Sequence, residues 1–111
     1  MQQWLYVLHP KRPEMLVSGP TPEEQATIGR HAEHVANLAA NGVMLMVGRT
    51  QTTTPDTLGL AVFIAEDEGR ARAIMESDPA VAGGVMTAEL FPYRIAFGNA
   101  EGFRAALEAA G

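Results

Sequence analysis

Thr21–Gly42, TPEEQATIGRHAEHVANLAANG, is the stretch from which the rest of the chain is placed. Thr21 offers a side-chain oxygen to the unpaired N–H groups of a first helical turn, and Pro22 suits the first helical position. Glu24 stands three residues after Thr21, where its carboxylate reaches back to the N–H of the cap. Asn41-Gly42 closes the segment, because glycine enters the left-handed region without steric cost. At about 100° per residue, Ile28, Ala32, Val35 and Ala39 share a narrow arc with Leu38 on its flank, while Glu23, Arg30, Glu33 and Asn37 lie mostly elsewhere. The pattern predicts a helix with one stripe on a core. His31 falls about 60° from Ile28, on the buried flank, and His34 falls about 120° round, near the water line.

Before this helix, Gln3–His9, QWLYVLH, reads as a buried strand stopped by Pro10. A strand so near the terminus stays ordered only if it is paired, which places it centrally. Lys11–Pro20, KRPEMLVSGP, with two prolines and a glycine, reads as a mildly apolar loop able to close over something. After the helix, Val43–Thr50, VMLMVGRT, is a nearly continuous apolar strand with both faces covered near its start, and Gly48 marks a bulge or a close approach. Gln51–Thr57 turns the chain into a third strand, Leu58–Ala65, so that the two strands form a hairpin. Glu66-Asp67-Glu68 then supplies the acids favoured at a helix N-terminus. That second helix ends near Ser77, since Asp78 precedes Pro79 and a residue before proline leaves the helical region. Pro79–Gly84 reads as a short helical turn, Val85–Phe97 as a last long strand with Pro92 at an edge or bulge, and Ala100–Ala110 as a tail helix.

The order β, α, β, β, α, β predicts an α+β ferredoxin-like sandwich: a four-stranded antiparallel sheet with two helices on one face, over residues 1–97, and a C-terminal helical extension over 98–111. Four strands this apolar cannot leave one face wet, so the sheet is expected to pair with that of a second copy as a homodimer, or to be covered by the tail helix.

The length of 111 residues is that of one domain, and a hydrophobic share of 47% is enough for a core without staples. No cysteine is present, which excludes disulfides, a thiolate nucleophile and a cysteine zinc site. A net charge of -5 without any run of Lys or Arg argues against nucleic acid as a partner. No apolar run approaches the ~20 residues of a membrane span, and the N-terminus lacks the parts of a secretory signal, so a cytoplasmic chain is expected.

Three stretches, YVLHP (6–10), HAEHVANLAANGVMLMVGRT (31–50) and ESDPAVAGGVMTAELFPYRIAF (76–97), resemble the YCII-related family, and the likeness covers roughly residues 3 to 97. The resemblance implies a dimeric α/β barrel made by two sheets face to face, a small cavity in each copy, and a histidine and aspartate pair within it. His31 takes the place of the family histidine relative to Gly42, and Asp78 takes that of the aspartate in the Asp-Pro motif, ahead of Gly83-Gly84. Where many members carry Gly-Pro after the second strand, this chain has Gly48-Arg49, a cation that could select an anionic substrate. One characterised branch of the family dehydrochlorinates a chlorinated hydroxyhydroquinone.

His31 and Asp78 are therefore the candidate catalytic residues, with Arg49, Gly48, His34 and His9 as candidates for holding substrate. An aspartate accepting the imidazole N–H fixes its tautomer and leaves the other nitrogen to move a proton. Such a pair points to lyase or isomerase chemistry on a small polar or anionic molecule, with no cofactor. The alternative is a metabolite-binding or accessory module in which the pair is structural, Asp78 serving as a cap for the turn that follows it. Arg49 reads equally well as a rim residue paired with an acid, His9 as strand-end packing, and Tyr6 and Tyr93 as core or interface aromatics. His34 stands three residues after His31, but no third ligand has a recognisable spacing, so no metal is expected.

Overall fold

A computed structural model describes residues 1–110. In chain order the elements are β1 (Gln2–Pro10), α1 (Met15–Ser18), α2 (Pro22–Ala40), β2 (Met44–Arg49), β3 (Gly59–Ala65), α3 (Glu68–Ser77), α4 (Pro79–Ala82), β4 (Met86–Pro92) and α5 (Ala100–Ala110). The sheet runs β2-β3-β1-β4 with every neighbour antiparallel, the order of a ferredoxin-like fold. β1 is central, as its apolar and aromatic run requires.

Alternation on β1 decides which face is covered. Trp4, Tyr6 and Leu8 are buried with Ala61, Phe63 and Ala65 of the neighbouring β3, against Val35 of α2 and Ala71 and Met75 of α3. Tyr6 and Phe63 meet edge to face, with centroids 5.5 Å apart and planes at 68°. The Trp4 indole N–H, whose burial would otherwise leave a donor unpaired, gives its hydrogen bond to the Ala65 carbonyl at 3.3 Å. Leu5 and Val7, at the intervening positions, look out from the opposite face, which no helix among the described residues covers.

The capping box at α2 is present in full: the Thr21 N–H donates to Glu24 Oε1 at 2.8 Å and the Glu24 N–H to Thr21 Oγ1 at 3.1 Å. Glu24 has a second duty. The Arg12 guanidinium donates to both of its oxygens, at 2.9 and 2.6 Å, and holds the Glu24 carboxyl down at about 2. This fork ties the Lys11–Pro20 segment to the helix, and a hydrogen bond from the Lys11 N–H to the Val85 carbonyl ties its other end to the sheet.

Four sequence expectations are refined. The Lys11–Pro20 loop contains the short helix α1. The buried stripe of α2 runs through Thr27 and Ile28, His31, His34 and Val35, then Leu38, while Ala32 and Ala39 are exposed. Larger side chains reach the sheet where alanine cannot, so the helix turns to put His31 at the middle of the stripe. On β2 only Met44 is buried, because β2 is an edge strand, and the irregularity falls between Met44 and Met46 instead of at Gly48. The last strand is shorter than expected and ends at Pro92, a proline on the sheet edge opposite Trp4, with one further backbone bond from the Tyr93 N–H to the Gln3 carbonyl.

Candidate functional site

Asp78 is the centre of the site. Its side chain has no exposed surface, and all of its hydrogen bonds come from distant elements or from the turn it begins. The Tyr6 hydroxyl on β1 donates to Oδ2 at 2.6 Å, and the backbone N–H of Ala80 donates to Oδ1 at 2.9 Å. His31 Nδ1 on α2 lies 2.7 Å from the same Oδ1. Burial alone would favour the neutral acid, but these three donors outweigh it and hold the Asp78 carboxyl below its ordinary value. The anion therefore persists at neutral pH.

The local sequence explains the placement. Asp78 ends α3 in an extended conformation before Pro79, and its carboxylate caps α4, so the cap and the histidine contact are one geometry. A Cβ on Gly83 would come within 2.8 Å of the Pro79 carbonyl and 3.0 Å of the Thr27 methyl, so only glycine lets α4 close against α2 at this distance. That approach is what brings Asp78 to His31 across 47 residues of sequence.

Tyr6 was read from the sequence as a core aromatic, and its ring is one. The phenol's second role has no sequence signal, because its partner lies 72 residues away. Burial, reinforced by the Asp78 carboxylate, pushes the Tyr6 hydroxyl far above its ordinary value, so it serves as a permanent donor and not as a base. In the tautomer whose Nδ1–H donates to Asp78 Oδ1, the Nε2 lone pair of His31 is free.

A cavity of about 460 Å³ opens beside this pair, between the sheet and the N-terminal half of α2. Tyr6, Leu8 and Pro10 of β1 form its floor with Gly59, Leu60 and Ala61 of β3, and Met15, Leu16 and Pro20 of the clamped segment form a wall. Ile28 and His31 face it from α2, and Val47, Gly48 and Arg49 from the end of β2. The lining is predominantly apolar, with Arg49 as its cation. A Cβ at Gly48 would meet nothing within 4 Å, so this glycine widens the space instead of relieving a clash.

His9 and His34 do not line the cavity. His9 projects from the other face of the sheet, where its Nε2 lies 3.0 Å from Glu89 Oε1. His34 is half-buried, with Nε2 out of contact with solvent and without a hydrogen-bond partner. Among the described residues, no three of His, Asp or Glu converge in an arrangement able to hold a metal ion.

The model of the YCII-related domain matches residues 4–93, the span that contains all of the sheet except Gln2 and Gln3 and every residue of the cavity wall. The chain belongs to the YCII-related family. No curated protein matches it significantly. Among solved structures, the fold resembles that of 5-chloro-2-hydroxyhydroquinone dehydrochlorinase (TftG) from Burkholderia phenoliruptrix AC1100, determined in complex with 2,5-dihydroxybenzoquinone. The TM-score is 0.54 at 18% identity, over 82% of this chain and 93% of that one. At this identity the likeness establishes the YCII fold and leaves the chemistry to the residues. The family match stops short of α5, and among the described residues no helix is long and apolar enough to cross a membrane.

One consequence for stability follows from the Asp78 environment. Its folded pKa lies below the unfolded value of about 3.9, so its contribution is complete above that pH and is lost as pH falls through the folded value. Denaturation midpoints measured between pH 7 and pH 3 are expected to drop below about pH 4, and Asp78→Asn to flatten that limb. An equal drop in both proteins would place the acid sensitivity elsewhere.

Proposed function

We propose that this YCII-related protein binds a small organic molecule with an apolar body and one anionic or polar end, and acts on it by acid–base chemistry of the elimination or isomerisation type. What supports this reading above all is the coincidence of an oriented imidazole, braced through Asp78 by Tyr6 and Ala80, with the wall of a cavity sized for such a ligand. In an elimination, His31 Nε2 takes a proton from carbon. The pair from that C–H bond forms a double bond to the neighbouring carbon, and the leaving group departs with its own bonding pair. Asp78 stabilises the imidazolium so formed, and Arg49 supplies positive charge for an oxyanion developing on the substrate. Gly48 provides room for that end of the molecule. Two copies joined through their uncovered sheet faces complete the reading as a homodimer.

A thermal-shift screen against small phenols, hydroquinones, lactones and organic acids tests the binding half of the proposal. A ligand at 100 times its Kd stabilises by about 2.7 kcal/mol, enough to raise the midpoint by several degrees in a domain of this size. Anionic compounds are expected to shift the wild type and to lose most of that shift in Arg49→Ala. If no class shifts the wild type, the cavity is not a binding site for such molecules.

A further inference from the structure

The C-terminal segment has no place to pack on its own chain. Among the described residues α5 makes no substantial packing against any other element, and its 11 residues fall short of the roughly 12–15 at which an isolated helix becomes even marginal in water. Asn99 caps its start through the Gly102 N–H at 2.7 Å, so the helix is well begun but unsupported. Phe103 and Leu107, four residues apart, form one apolar side open to solvent, and Phe97 in the preceding linker is 96% exposed.

The uncovered sheet face presents the complementary deficit. Leu5, Val7 and Ile64 look out from it half-buried around the buried Val62, and Leu45, Met46 and Phe91 beside them are more than a third exposed. Together with the segment's own Tyr93, Ile95, Phe97, Phe103 and Leu107, the exposed apolar area is on the order of 800 Å², about what a stable interface takes from each partner. The segment also starts on the correct side. The Tyr93 N–H donates to the Gln3 carbonyl at 3.1 Å and the Ile95 N–H to the Gln3 side-chain oxygen at 2.7 Å, and Gln3 belongs to the uncovered face.

From these observations, and resting on the sheet-to-sheet dimer proposed above, we infer that residues 93–110 form an exchanged arm. Each copy lays Phe97, Phe103 and Leu107 along the bared β2 edge of the second copy, beside Leu45 and Met46. A two-fold arrangement lets one surface satisfy the other in both directions at once. Folding back onto its own sheet would set the arm in competition with the partner's sheet for one face. Reach is sufficient: from Ile95, held by Gln3, the four steps to Asn99 extend over ~14 Å and the first turn of α5 carries Phe103 about 6 Å further, against about 14 Å across three strand spacings and ~10 Å between packed sheets.

Sedimentation equilibrium and amide exchange, each over a range of concentrations, test the arm. The wild type is expected to dimerise, with α5 amides protected above the dissociation midpoint and unprotected below it. F103D/L107D is expected to weaken association at least about 30-fold, while Glu101→Gln, on the opposite side of α5, leaves it unchanged. Exchange in β1 and β3 reports whether the variant keeps its protomer fold, and the wild-type concentration series stands independently of the variants. A wild-type dimer with association unaltered in F103D/L107D, and with α5 exchange independent of concentration, would overturn the arm and leave the sheet dimer intact. A wild type that stays monomeric throughout would overturn both.

Discussion

Asp78→Ala is expected to cost about 3–5 kcal/mol of folding stability, read as a lowered midpoint in urea or guanidinium denaturation. The carboxylate has no exposed surface and satisfies three donors at once, so its loss strands the Tyr6 hydroxyl and the Ala80 N–H in the interior and leaves His31 Nδ1 without a partner. Against a total of roughly 5–15 kcal/mol for a domain of this size, that is enough to unfold much of the population near 37 °C. Tyr6→Phe removes only one of the three donors and is expected to cost less, about 1–2 kcal/mol. Because Tyr6 and Asp78 share one hydrogen bond, the double variant Tyr6→Phe/Asp78→Ala should fall short of the sum of the singles. An Asp78→Ala cost under about 1 kcal/mol would mean that water or a rearranged turn replaces the carboxylate, and the proposed bracing of His31 would fail with it.

The second large effect concerns turnover. In His31→Gln the amide keeps a donor near Asp78 but offers no nitrogen base, so for a compound found to be processed, kcat is expected to fall 10²- to 10⁴-fold. KM should change little, because the apolar walls from Leu8, Ile28 and Leu58 and the Arg49 cation remain. This pairing of outcomes separates proton transfer from a structural duty, since a structural role would appear as lost stability with kcat intact. A ligand that binds tightly and is never converted, with His31→Gln behaving as wild type, would assign the family fold here to carriage or sensing.

Much of this protein is legible in its sequence. The capping box of Thr21 and Glu24, the stop at Asp78-Pro79 and the apolar run of β1 are local chemistry, and each acts over a few residues, so the element order and the ferredoxin-like topology followed from them. Period and length sufficed there because a helix or strand is chosen mainly by its own residues and its ends. The resemblance also marked His31 and Asp78 as belonging together.

Other features depend on distance in sequence and could be decided only by packing. The exact face of α2 was one: the arc through Ala32 and Ala39 is as good a stripe as the arc through His31, and the choice rests on a partner 47 residues away. Tyr6 as a donor to Asp78 was another, since nothing in WLYVL distinguishes a phenol that ends in a carboxylate from one that ends in water. His9 and His34 stood as candidates for holding substrate, yet alternation on β1 sends the first to the far face and the turn of α2 keeps the second off the cavity wall. The sequence by itself determined the four strands, the helices α2 to α5 and their order, though not α1 or the end of β4, because those choices are made by short-range hydrogen bonding and periodicity. The tertiary structure alone decided that the Tyr6 hydroxyl joins the His31–Asp78 pair, what encloses the space beside it and which apolar face stays uncovered, because burial and charge pairing are properties of residues brought together across the whole chain.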